Sequence, residues 1–96
     1  MKYILFYNGP ETPPDASHKG WVTWFTKLGS ALVDHGSPLA RGTVLHNDGS
    51  KTDSATSFNG YSIIQAKDKN AALDLIKDHP YLGLGSEYTI EVFEKG

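Results

Sequence analysis

The segment Tyr3-Ile4-Leu5-Phe6-Tyr7 constrains this chain more than any other part of it. β-Branched and aromatic residues favour strands, and Asn8-Gly9-Pro10 cannot continue a ladder, so residues 2–7 predict a first strand. Because side chains alternate between the two faces of a strand, an unbroken apolar run places apolar groups on both faces. One face must therefore pack on helices of the same chain, and the other needs a further layer.

An amphipathic helix is predicted after this strand. Asp15 or Ser17 can cap its start, because both side chains accept hydrogen bonds from the first backbone N–H groups. Apolar residues then recur at spacings of three and four, as on one face of a helix. They are Trp21, Trp24, Phe25, Leu28 and Leu32. The helix should end near His35, since Gly36 suits the left-handed position that follows a helix.

Three further strands and a second helix follow. Residues 39–46 are compatible with a second strand, and the turn signal at 47–50 predicts a hairpin connection. Residues 58–66 have the best strand propensity in the chain and predict the third strand. Residues 68–79 carry an N-cap aspartate, an apolar stripe and a His-Pro stop, so they predict the second helix. Residues 88–93 alternate with the period of two expected of a fourth strand.

The order βαββαβ predicts an α+β fold. In this ferredoxin-like arrangement two helices lie on one face of a four-stranded antiparallel sheet. A chain of 96 residues can build one hydrophobic core, so we expect residues 1–96 to form a single domain. A second copy, paired about a two-fold axis, would cover the other face of the sheet. We therefore expect a homodimer that forms through the sheet faces.

Charge and cysteine content narrow the possible partners and location. The net charge is −2 and the lysines and arginines are scattered, which argues against nucleic-acid binding. The N-terminal apolar run is too short for a signal peptide or a membrane span. A chain without cysteine has neither disulfides nor thiolate chemistry, which fits a reducing compartment, so we expect a cytoplasmic protein.

A series of motifs spans nearly the whole chain in one order. It consists of Tyr3-Ile4-Leu5-Phe6-Tyr7, Trp24-Phe25-x-x-Leu28-Gly29-x-Ala31-Leu32-Val33-Asp34-x-Gly36-x-Pro38, Gly60-Tyr61-Ser62-Ile63-Ile64-Gln65-Ala66, and His79-Pro80-Tyr81 before Thr89-Ile90-Glu91-Val92. This series resembles the YCII-related proteins of the dimeric α/β-barrel group. The resemblance implies a ferredoxin-like protomer, sheets that pack into a barrel-like dimer, and clefts between sheet and helices.

The same resemblance implies possible acid–base residues. In parts of that family a histidine on the first helix and an aspartate near the end of the second are suspected of this work. Asp78 stands at the second position here. The first position falls near Trp24 or Phe25, and the nearest upstream histidine is His18.

Histidines are the leading candidates for chemistry, because imidazole is the readiest general base near neutral pH. His79, at the end of the second helix, is the best of them, with a C-terminal helix cap as its structural alternative. Asp78 is either its orienting carboxylate or a solvated residue, and His18 faces either a cleft or water. His46 flanks a turn. The histidine spacing is poor for a metal site, so we predict no metal.

Ligand contacts are expected from the aromatic stripe and from polar strand residues. Trp21 and Phe25 could wall an apolar cavity, although such a stripe is more often core. Trp21 is the residue that we expect nearest to a pocket, because an indole N–H needs a partner. The predicted binding residues are Trp21, Phe25, His46, Ser62 and Tyr81.

The functional prediction is binding of a small apolar or aromatic metabolite. If the protein is an enzyme, we expect cofactor-free proton transfer or lyase-type chemistry by His79 with Asp78 and His18. A non-catalytic ligand-binding or interaction module is one alternative. A cofactor-independent monooxygenase is the other, and it would need an aromatic-lined cavity with a buried polar pair.

Overall fold

The computed structural model describes residues 1–10, 18–39, 42–55 and 58–95. Its elements along the chain are β1 (Lys2–Asn8), α1 (His18–Leu28), β2 (Leu32–Pro38), β3 (Thr43–Leu45), β4 (Lys51–Asp53), β5 (Phe58–Gln65), α2 (Lys69–Ile76) and β6 (Thr89–Glu94). A 3-10 turn follows each helix, at Gly29–Ala31 and at Pro80–Leu84. The predicted caps of the first helix, Asp15 and Ser17, lie outside the described residues.

Four strands form one antiparallel sheet in the order β2-β5-β1-β6. Together with the two helices this is the predicted α+β, ferredoxin-like arrangement, so the fold class is confirmed. No helix within the described ranges is long and apolar enough to cross a bilayer.

One face of the sheet builds the core. Tyr3, Leu5 and Tyr7 of β1 alternate with less buried neighbours and point toward the helices. They pack in one cluster with residues of β5, α1 and α2, and with two tyrosines near the C-terminus. Those partners are Trp24, Leu28, Ile64, Ala72, Ile76, Tyr81 and Tyr88.

The other face, here called the open face, is also apolar. The register pairs Ile4 with Ile63 and Phe93, and Phe6 with Tyr61, so these side chains share that face. Phe6 also contacts the ring of Phe58 at 4.9 Å and that of Phe93 at 5.8 Å. The apolar residues of the open face are Ile4, Phe6, Phe58, Tyr61, Ile63 and Phe93, and Glu91, which pairs with Phe6, lies on the same face.

The predicted end of the first helix is wrong. α1 stops at Leu28, because Gly29 adopts φ +55° and turns the chain into a 3-10 segment. Residues 32–38 form β2, although periodicity predicts that the helix continues to about His35. The left-handed conformation expected at Gly36 is present, with φ +80°, but it lies inside a strand.

The predicted second strand is also misplaced. The turn at residues 47–50 is confirmed, and His46 N–H donates to the Ser50 carbonyl at 2.8 Å across it. It joins β3 to β4, which form a separate two-stranded sheet. The edge position next to β5 belongs to β2 instead.

β2 contains a bulge that shapes the surface beside it. Asp34 pairs with Ile63 and Ser37 with Tyr61, so two residues of β2, His35 and Gly36, lie opposite one residue of β5. A Cβ atom on Gly36 would lie 1.6 Å from the Tyr61 carbonyl oxygen, so only glycine fits. The Asp34 carboxylate accepts a hydrogen bond from Gly36 N–H at 2.9 Å and holds the bulge locally.

Candidate functional site

His79 lies in the core, between α2 and the 3-10 turn that follows it. Its side chain is 2% exposed, and its Nδ1 accepts a hydrogen bond from Tyr81 N–H at 2.9 Å. The side chain therefore caps the start of the 3-10 turn. The predicted cap of the preceding helix end is wrong, because the imidazole accepts from the next turn instead of donating to carbonyls of α2.

A chain of hydrogen bonds, here called the relay, runs from His79 through the core. Because Nδ1 accepts, Nε2 carries the ring proton and donates to Tyr7 Oη, 3.2 Å away. Tyr7 Oη donates to Ser62 Oγ at 2.8 Å. Ser62 Oγ in turn donates to the His35 carbonyl at 2.7 Å. Every proton in the relay therefore points toward the bulge of β2.

The relay is neutral. Burial lowers the pKa of His79 to about 3, because the protonated imidazole would lose its hydration. Burial likewise raises the pKa of Tyr7, a shift that its hydrogen bond with Ser62 partly offsets. Neither group carries a charge at neutral pH.

Aromatic rings enclose the imidazole of His79. The ring centroids of Trp24 and Trp21 lie 4.0 and 4.6 Å from it, and that of Tyr7 lies 5.0 Å away. Trp24 also donates through Nε1 to the Leu75 carbonyl at 3.4 Å. The structure thus brings Trp21 and His79 together, two residues that are far apart in the sequence.

Asp78 does not join this group. Its carboxylate lies 3.5 Å from Lys27 Nζ, and both side chains are mostly exposed. Both ring nitrogens of His79 are engaged by other partners, Tyr7 and Tyr81. Asp78 is therefore a solvated surface residue and does not orient the imidazole.

The other predicted site residues are dispersed. His46 is exposed in the β3–β4 hairpin, where its Nε2 lies 2.9 Å from Thr52 Oγ1. Tyr81 is buried, and its Oη accepts from Asn59 Nδ2 at 2.9 Å. Its burial raises the pKa of the phenol, against the opposing effect of the Asn59 hydrogen bond. His18 begins α1, and its side chain lies outside the described residues.

A cleft opens between α1 and β2. It has a volume of about 440 Å³ and is lined by Val22, Phe25, Thr26 and His35. The ring of Phe25 meets the ring of His35 edge-on at 4.9 Å. Phe25 also contacts Trp21 at 5.9 Å, so the cleft wall adjoins the aromatic cage of His79. Of the predicted binding residues, Phe25 lies in this wall and Trp21 behind it.

Comparison with known proteins places the chain in a family. Residues 3–94 match the YCII-related domain. The chain belongs to this family. One solved structure of similar fold is 5-chloro-2-hydroxyhydroquinone dehydrochlorinase (TftG) from Burkholderia phenoliruptrix AC1100, in complex with 2,5-dihydroxybenzoquinone. It is 14% identical, with a TM-score of 0.53 over 100% of this chain and 96% of that one. The comparison with curated proteins finds no match.

In this YCII-related chain the cleft wall contains His35, which the sequence pattern did not mark as a candidate. Helical periodicity predicts that His35 ends the first helix, whereas it lies in β2. The neighbouring Gly36 was the available signal, because a glycine of positive φ is equally at home in a bulge. As for metal binding, the described ranges contain no group of three or more histidine, aspartate or glutamate residues that could hold an ion.

Proposed function

We propose that this YCII-related protein binds a small hydroxylated aromatic, or otherwise largely apolar, metabolite in the cleft between α1 and β2. His35 exchanges a proton with the ligand there, without a cofactor. The observation that carries the proposal is the His35 imidazole, which lines the cleft edge-on to Phe25. Because the chain lacks cysteine and thus suits a reducing compartment, we also infer that it works in the cytoplasm.

The composition of the cleft suits such a ligand. Val22 and Phe25 offer apolar contact, while the imidazole of His35 can donate or accept a hydrogen bond. The Thr26 hydroxyl already donates to the Val22 carbonyl, so the imidazole of His35 is the group that can orient a flat ligand by its polar edge. Proton transfer, or elimination of a leaving group that departs with its bonding electrons, needs only a base and an acid. No oxidant or reductant takes part.

His79 takes a supporting role in this proposal. It is 2% exposed, and neighbouring groups engage both of its ring nitrogens. A general base must come within hydrogen-bond reach of the proton that it removes. His35 meets that condition for a ligand in the cleft.

The solved structure of similar fold supports the ligand class. That protein is described as a dehydrochlorinase of a chlorinated hydroxyhydroquinone and was solved with 2,5-dihydroxybenzoquinone. At 14% identity the likeness concerns the fold, so the compound serves here as a probe.

Binding of this probe tests the site. We expect 2,5-dihydroxybenzoquinone to shift the ¹H–¹⁵N resonances of α1 and β2, and His35→Ala to weaken its binding at least tenfold. His46→Ala is the matched control, because His46 is also an exposed histidine but lies in the hairpin. Equal binding by the wild type and His35→Ala would overturn the proposal.

Turnover separates the enzyme from the alternative of a binding module. In D₂O a proton-transfer catalyst accelerates deuterium incorporation at the ring carbons of the probe, and His35→Ala abolishes that acceleration. Binding without acceleration would favour the non-catalytic module. The monooxygenase alternative has the buried polar pair it requires, His79 and Tyr7, but the pair is already hydrogen-bonded. Oxygen uptake with hydroquinone would favour it.

We further infer that a second copy of the single domain 1–96 covers the open face. That face is largely aromatic, and Phe93 on it is 51% exposed. Apolar surface of this kind is buried when two sheets pack face to face. A two-fold pairing would bury the same patch on both protomers.

Light scattering after size exclusion tests the pairing. We expect a dimer at micromolar concentration and a monomer for Phe93→Glu, which places charges at the interface. Leu73→Glu is the control, because Leu73 is 44% exposed on α2, away from the open face. A monomeric wild type, or a dimeric Phe93→Glu variant, would contradict the inference.

A further inference from the structure

The bulge of β2 interrupts its regular pairing with β5. The pairing of β2 with β5 passes from Asp34–Ile63 to Ser37–Tyr61, and the residues in between have no matched partner. The hydroxyl of Ser62 fills this place, since it donates to the His35 carbonyl at 2.7 Å. A side chain from the core therefore holds the backbone at His35.

Ser62 is itself held from further inside. Its Oγ accepts a hydrogen bond from Tyr7 Oη, and Tyr7 Oη accepts one from His79 Nε2. The imidazole of His79 is held in turn because its Nδ1 accepts a hydrogen bond from Tyr81 N–H. The relay thus connects the 3-10 turn after α2, strand β1 and strand β5 to the bulge of β2. In the described part of the chain every buried side-chain nitrogen or oxygen has a hydrogen-bond partner.

We propose that His79, Tyr7 and Ser62 are positioning residues for the cleft, and that their relay sets the place of His35. The ligand-binding part of this proposal rests on the proposed function. Its structural part does not, because it concerns the free protein.

Two physical arguments support the assignment. Bulges redirect side chains next to functional sites, and this bulge carries the one imidazole of the cleft wall. A buried polar network specifies a single arrangement only while all of its members are satisfied. Removing Tyr7 Oη would leave the His79 N–H without its acceptor and Ser62 without its donor, so the hydroxyl of Ser62 would be free to reorient.

The test perturbs the centre of the relay and observes its end. Tyr7→Phe removes the shared hydroxyl. We expect it to shift the His35 Cε1–Hε1 and Gly36 amide resonances of the ligand-free protein. Tyr3→Phe is the matched control, because Tyr3 lies on the same face of β1 and is equally buried, while its Oη contacts Met1 Sδ.

Shifts at His35 no larger in Tyr7→Phe than in Tyr3→Phe would overturn the proposal. Ser62→Ala gives an independent reading should Tyr7→Phe fail to fold. The effect of Ser62→Ala is measured at the His79 end of the relay. We expect the ring resonances of His79 to shift, because Tyr7 Oη links His79 to Ser62. Unchanged His79 resonances would likewise overturn the proposal.

Binding of 2,5-dihydroxybenzoquinone extends the test to the cleft. We expect Tyr7→Phe to weaken it about three- to tenfold, with Tyr3→Phe unchanged. If His35→Ala left probe binding unaltered, the proposed function would fail. The His35 and Gly36 resonances of the ligand-free protein would still test whether the relay positions His35.

Discussion

Gly36→Ala should be among the most destabilising single substitutions in this chain. Two effects combine at this position. The backbone adopts φ +80°, where a residue with a side chain is strained by about 1–2 kcal/mol. The added methyl group would also lie 1.6 Å from the Tyr61 carbonyl oxygen and 2.5 Å from its carbon, which belong to backbone and cannot swing aside.

Relief of that overlap requires β2 to move away from β5 by well over an ångström. Such a shift breaks the neighbouring ladder hydrogen bonds, each worth about 0.5–1.5 kcal/mol net, and also the bond from Ser62 to His35. The expected loss is therefore at least about 3 kcal/mol, a large part of the roughly 5–15 kcal/mol by which native proteins are stable.

Gly49→Ala is the matched control for this prediction. Gly49 has φ +89° in the hairpin turn, and an added Cβ there would meet nothing within 4 Å. Its cost is limited to backbone strain, about 1–2 kcal/mol. Urea unfolding followed by tryptophan fluorescence, at one protein concentration, measures both variants. Equal losses for the two alanines would refute the close approach of β2 to β5.

Three further predictions concern His79 and its surroundings. The folded imidazole stays neutral because its pKa is about 3, whereas the unfolded one takes up a proton below about pH 6.5; stability should therefore fall by up to about 2 kcal/mol from pH 7 to pH 5. Urea midpoints at the two pH values measure this, and a His79→Gln variant that kept the same slope would contradict it. Trp24→Ala should cost about 3–5 kcal/mol and more than Trp21→Ala, because Trp24 is 3% exposed; thermal unfolding that ranked them the other way would disagree. Asp78→Asn should leave both the unfolding midpoint and probe binding unchanged, since Asp78 pairs with the exposed Lys27, and a loss of binding would restore Asp78 to the site.

Local patterns predicted most of the fold, and they failed between residues 32 and 46, where the first helix was extended too far and the second strand was misplaced. Strands β1, β5 and β6 follow from strand propensity and alternation. Helix α2 follows from its apolar stripe and from the Asp68 cap, whose side chain accepts from Ala71 N–H at 2.8 Å. Leu28 and Leu32 are spaced as on a helix, yet Leu32 pairs with Ile64 in the sheet. At Leu32, pairing with β5 outweighs the helical periodicity. Such long-range pairing cannot be read from the local pattern of a single sequence.

The candidate site was only partly accessible from the sequence. The chemistry of indole and imidazole side chains made Trp21 and His79 candidates, and the fold places their ring centroids 4.6 Å apart. The relay could not be predicted, because Tyr7 is 55 residues from Ser62 and 72 from His79 along the chain. His35 was hidden by the same boundary error that hid β2.

The bulge of β2 also bears on how this protein avoids aggregation. β2 is an edge strand of the four-stranded sheet, and a regular edge offers free N–H and C=O groups on which another chain can form a strand. Here the bulge at His35 and Gly36 interrupts that row, and Pro38 closes it with a residue that has no N–H to donate. The geometry that turns His35 into the cleft therefore also makes this edge of the sheet a poor template for β-strand addition.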